Sequence, residues 1–151
     1  MPTLEPQDPA FESRVRVSFA RQRFMSMLGA RVVAVAPGRI VLGFAFRDDL
    51  TQQHGFLHAG VLTAVADSAC GYAALTLMPP GAAVLSVEFK VNLLAPAAGT
   101  DFVATGTVVR SGRTLTVCTA EVRARRADGE SVVALMQGTM MTVRDRAGMS
   151  D

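Results

Sequence analysis

The stretch 58-HAGVLTAVADSACGYAALTLM-78 places the tightest constraint on what this chain can fold into. Val61, Leu62, Ala64, Val65, Ala66, Ala69, Cys70, Ala73, Ala74, Leu75 and Leu77 go almost all the way round a helix. A helix apolar on nearly every side must be enclosed. Pro79-Pro80-Gly81 stops it at about Met78. The same break interrupts the longest uncharged run, Ser68 to Val87, so that run is not one membrane helix. One acid, Asp67, stands inside the apolar helix. An ionised carboxylate is costly to bury alone, so Asp67 is catalytic, satisfied by local donors, or on a wet face.

The rest of the chain supplies what encloses that helix. Asp8-Pro9 reads as a cap and first-turn proline, opening an amphipathic helix on Phe11, Val15, Phe19, Met25, Met27 and Leu28 that Gly29 ends. Ala30–Ala36 and Arg39–Phe46 read as strands joined at Pro37-Gly38, and the polar loop 47-RDDLTQQHGF-56 leads to the apolar helix. Four strand-like runs follow. The first, 84-VLSVEFKVNLL-94, alternates, with Val87, Phe89, Val91 and Leu93 on one face and Ser86, Glu88, Lys90 and Asn92 on the other. The next runs from about Asp101 to Arg110 and turns at Ser111-Gly112. It returns over Thr114–Arg126, where the pattern changes phase between Val117 and Ala120, which predicts a bulge near Cys118. Ser131–Val143 is apolar on both faces. Helix, two strands, long apolar helix and four strands make an α+β fold, an antiparallel sheet wrapped around one helix.

Composition narrows the function classes. Half of the 151 residues are hydrophobic and 19% are charged, as in a compact domain. Fifteen basic against 13 acidic residues is a mild excess, and no nucleic-acid motif accompanies it. The N-terminus lacks a signal-peptide layout, and Cys70 and Cys118 form no CxxC pair, so free thiols in a cytoplasmic protein are expected. His54, His58 and Asp67 have no convincing metal-ligand layout.

The motifs 58-HAG-60, Asp67 within 64-AVADSACG-71, 85-LSVEFKVNLLAPA-97 and 110-RSGRTLTV-117 resemble the hotdog fold. More narrowly, the chain is similar to the acyl-CoA thioesterases of the phenylacetate-degradation (PaaI-like) type, over roughly Gly29 to Val143. The resemblance implies 29–143 as the hotdog domain; the residues before and after it are expected as a helical segment on the same domain over 1–28 and a disordered tail over 144–151. It makes Asp67 the nucleophile or general base and the Ala59 backbone amide the group that polarises the thioester carbonyl. Gln52 falls where relatives carry a side-chain amide, usually asparagine, and Ser86 where they carry a hydroxyl that helps place water. Ala59 departs from the usual first glycine of His-Gly-Gly but keeps its N–H. Arg110 and Arg113, beside the Ser111-Gly112 turn, are candidates for the phosphates of coenzyme A, which enters as part of the substrate and not as a cofactor. A homodimer, or a tetramer built as a dimer of dimers, is the implied assembly. Other readings are a non-catalytic acyl-CoA-binding module and a hotdog dehydratase or hydratase using His58.

Thioester hydrolysis needs an attacking oxygen and donors for the oxyanion. The helix start at His58-Ala59-Gly60 offers unpaired N–H groups and a partial positive charge, unless His58 serves only as its cap. Gly60 and Asp67 share a helix face, yet seven residues separate them by about 10 Å along the axis. One carbonyl cannot easily touch both. The expected site therefore pairs Asp67 of one chain with the helix start of another.

Overall fold

A computed structural model describes residues 4–151, so residues 1–3 of the expected 1–28 segment lie outside the described residues. Two short helices, α1 (Phe11–Arg21) and α2 (Arg23–Leu28), precede a hairpin of β1 (Arg31–Ala36) and β2 (Arg39–Ala45). A single 3₁₀ turn, Asp48–Leu50, leads to the long helix α3 (Ala59–Leu75). Strands β3 (Ala83–Leu93), β4 (Asp101–Ser111), β5 (Leu115–Arg126) and β6 (Gly129–Val143) complete the chain. All six strands form one antiparallel sheet in the order β1-β2-β4-β5-β6-β3. The expected hotdog arrangement is present: α3 packs against β2, β3, β4, β5 and β6.

Small residues allow this enclosure. Ala66, Ala69, Cys70, Ala73 and Ala74 are fully buried on α3, and Gly106 of β4 lies against the backbone of Ala69 and Cys70. A Cβ added at Gly106 would stand 2.2 Å from the Ala69 carbonyl oxygen, so helix and strand backbones touch where no side chain fits. Helix α3 ends on the side of α1. Leu77 N and Met78 N bond back to Ala74 O and Leu75 O, which tightens the last turns toward Met78. The Arg14 guanidinium, paired with Asp8 at 2.9 Å, donates to the carbonyls of Leu75, Met78 and Pro79. A cation thus meets the negative end of α3 and occupies carbonyls that the helix leaves free.

Three local expectations change. The first helix is not continuous: Gln22 is extended (φ −79°, ψ 95°) and divides α1 from α2, while Gly29 ends α2 in the left-handed conformation as expected. In β5, Thr116, Cys118, Ala120, Val122 and Ala124 are all buried, so its inward parity never switches. The bulges sit instead on its neighbours, with Val109 the extra residue of β4 and Val133 that of β6. In β3 the simple alternation fails because Val87 is an extra residue between Ser86↔Met140 and Glu88↔Thr139. The bulge moves Ser86 onto the helix-facing side, which beyond Val87 carries Phe89, Val91 and Leu93, opposite Gly138, Met136 and Ala134.

The 144–151 segment, expected as a disordered tail, takes an irregular path back across α1 and the start of β3. There the Asp151 carboxylate accepts from Ser18 Oγ at 2.7 Å and Val84 N at 3.1 Å.

Candidate active site

Asp67 is half-buried on the third turn of α3 and lines a cavity of about 430 Å³ between α1, α3 and the start of β3. Ser86 Oγ donates to Asp67 Oδ1 at 2.7 Å and sits 3.4 Å from the Met140 sulfur. The Val87 bulge makes this contact by turning a serine at the sheet edge toward the helix. Oδ2 of Asp67 accepts no hydrogen bond from the described residues, so one oxygen is held and the other faces the cavity. Such a carboxylate can take a proton from water or attack an electrophile. Beneath it, Cys70 and Cys118 are buried free thiols. Burial pushes both thiols up, Cys118 to about 12, and Cys70 is raised further by Cys118 and Asp67. Both stay protonated at neutral pH, so neither is a nucleophile here.

The start of α3 forms a second site. His58 is the N-cap, and its Nδ1 accepts the Gly60 N–H at 2.8 Å. Its ring therefore caps the helix, and Gly60's N–H is occupied within the chain. Val61 N is bonded to His58 O, and His58 N to Leu50 O. The Ala59 N–H has no acceptor among the described residues. Ala59 and Gln52 line one cavity of about 490 Å³, walled by Leu57, Leu62, Leu93 and Leu94. The Gln52 side-chain oxygen accepts the His54 N–H and fixes the carboxamide in its loop, leaving Nε2 as the available donor. Gln53 instead has Nε2 3.4 Å from His54 Nε2 on the surface.

The predicted residues therefore fall into two groups within one chain. Asp67 and Ser86 share one cavity, Gln52 and Ala59 share the other, and His58 and Gly60 close the helix start. Arg110 and Arg113 are exposed at the β4–β5 hairpin and line neither cavity. Among the described residues no group of three histidines, cysteines or acids stands where it could hold a metal, and no helix is long and apolar enough to cross a membrane. Sequence reasoning missed the polar end of the Asp67 cavity, where Ser18, Tyr72, the Val84 N–H and Asp151 meet. They come from α1, α3, β3 and the tail, and no spacing links them.

The "Thioesterase superfamily" family matches residues 54–130, from the loop before α3 to the start of β6. A crystal structure of a thioesterase family protein from Silicibacter pomeroyi is 53% identical, with a TM-score of 0.87, covering 88% of this chain and 98% of that one. Acyl-coenzyme A thioesterase 13 of Homo sapiens is 30% identical over 62% of this chain and 68% of its own length. The E. coli PaaI protein from the phenylacetic acid degradation operon matches at a TM-score of 0.80 over 95% of this chain and 98% of its own. At 20% identity, that last likeness bears on the fold alone. The chain belongs to the thioesterase superfamily, as a thioester hydrolase with the hotdog fold of the PaaI-like type.

Proposed function

We propose that the protein hydrolyses an acyl- or aryl-acyl-CoA thioester to the free acid and CoA, at sites shared between two copies of the chain. Asp67 of one copy delivers water as general base, or attacks as nucleophile. The Ala59 N–H of the other polarises the thioester carbonyl, with Gln52 Nε2 beside it. Water's oxygen ends on the acyl carbon as the C–S bond breaks, and its proton leaves on the CoA thiol.

The observation that carries the reading is a part-exposed carboxylate held by one serine, paired with an unsatisfied helix-start N–H in a separate cavity. A carbonyl needs both within hydrogen-bond reach, and a second copy brings them together. The edge of β3 supports such an assembly. Among the described strands it pairs only with β6, and it exposes Leu85, Val87 and Phe89 along its free edge. The substrate class follows the human relative's name. The occupied Nδ1 of His58 weighs against a hydratase that would use this ring as its acid or base.

The test follows thiol release from a panel of acyl-CoAs by the wild type and Asp67→Ala. Release by the wild type and a loss of about a hundredfold or more in the variant supports the reading. Full activity in Asp67→Ala removes the assigned role, and binding without turnover by either protein favours an acyl-CoA-binding module.

A further inference from the structure

The Asp67 cavity has a second polar end. From Asp67 and Ser86 it runs along Gly71 of α3 and Val84 of β3 to the Ser18–Tyr72 pair, whose oxygens are 3.2 Å apart. The side chain of Asp151 fills that end. One carboxylate oxygen accepts from Ser18 Oγ at 2.7 Å and the other from the Val84 N–H at 3.1 Å. Since Ser18 gives its one proton to Asp151, its oxygen can only accept from Tyr72, so the two hydroxyls form a directed chain of donors. Burial pushes the Tyr72 phenol above its ordinary value, which keeps that proton in place. Arg21 completes the niche with a positive charge, its guanidinium reaching Ser150 O at 3.4 Å.

We infer that this niche is a carboxylate-recognition subsite of the substrate cavity, and that Asp151 occupies it in the free chain until an acyl group ending in a carboxylate displaces the tail. Two separate donors aimed at two oxygens suit a carboxylate and leave a methyl end unmatched. The spacing sets the acyl length. Asp67 to Tyr72 is five residues of helix, and Ser86 to Val84 is two of strand, so both walls span roughly 7 Å. An extended carbon chain advances about 1.3 Å per bond, which places the second carboxyl about five or six carbons from the thioester. Adipyl-CoA fits that length, and hexanoyl-CoA is its uncharged counterpart.

The subsite rests on the acyl-CoA hydrolase reading for its substrate but not for its existence, so the experiment has two arms. In the first, kcat/KM is measured for adipyl-CoA and hexanoyl-CoA with the wild type, Ser18→Ala and Asp151→Ala. The adipyl-to-hexanoyl ratio is expected to fall about tenfold in Ser18→Ala and to rise in Asp151→Ala as the internal competitor is removed. A ratio equal in all three proteins overturns the proposal. In the second arm, free adipate is added and hydrogen exchange of the 144–151 backbone is followed by mass spectrometry. Adipate is expected to raise exchange there in the wild type, and hexanoate is not. If neither thioester is turned over, the hydrolase reading fails and this arm alone decides the subsite. Exchange unchanged by adipate then overturns it.

Discussion

Replacing Ser86 with alanine isolates the one hydrogen bond that the Asp67 carboxylate accepts among the described residues. The lost interaction is a 2.7 Å bond from a hydroxyl to a carboxylate. Hydrogen bonds to charged groups contribute about 1.5–3 kcal/mol, and the lower end applies because Asp67 is half-buried and water can replace the serine. A loss of about 1.5 kcal/mol in the chemical step lowers kcat roughly tenfold. Because Ser86 acts through Asp67, KM should change little, and Ser86→Thr should restore most of the rate by returning a hydroxyl. The double variant is the sharper assay. If Ser86 only positions Asp67, adding Ser86→Ala to Asp67→Ala costs nothing further. Steady-state thiol release from one acyl-CoA measures the wild type and all four variants. An unchanged kcat in Ser86→Ala, or a tenfold loss that persists without Asp67, refutes the reasoning.

Other expectations concern stability. Gly106→Ala drives a Cβ to 2.2 Å from a helix carbonyl that cannot rotate away, so it should cost about 3 kcal/mol or more and lower Tm by roughly ten degrees in calorimetry. Arg14→Ala leaves Asp8 unpaired and three carbonyls at the end of α3 without their donor, and should cost about 3 kcal/mol in urea titration. The raised thiols give a pH dependence: the folded chain holds protons that the unfolded chain releases above its ordinary thiol value of 9.0, so stability should fall as pH climbs from there toward about 12. Cys118→Ala should flatten that decline in unfolding curves across the same range, and native wild-type protein should resist thiol reagents at pH 8.

Legibility followed the range of each interaction. The apolar girdle of α3, the Pro37-Gly38 turn and the odd acid at Asp67 are local patterns, and each stands where the sequence places it, whereas α3 ends at Leu75, about a turn short of Pro79-Pro80-Gly81. The bulges are different, because an extra residue is defined by its partner strand. Leu115 and Val117 mimic an inward face in β5, yet Leu115 is half-exposed while Thr116 is buried, since register with β4 and β6 decides the side. The same effect hid how Ser86 reaches Asp67: by alternation it shares a side with Glu88, and only the Val87 bulge turns it inward. The Ser18–Tyr72–Asp151 niche was invisible for a stronger reason, since its members are brought together by tertiary packing alone.

The claim that two chains share each site is tested most directly by mixing two inactive variants. Asp67→Ala removes the acid. Ala59→Pro removes the amide donor at the first position of α3, where proline is tolerated, and His58 before it is already extended (φ −61°, ψ 137°). Each variant alone should be inactive or nearly so. Unfolded together and refolded in equal amounts, about half the dimers carry one of each chain, and each of these regains one intact site of its two. About a quarter of wild-type activity should return. A mixture no more active than its separate components would mean that acid and amide act within one chain, and would rule out a shared site.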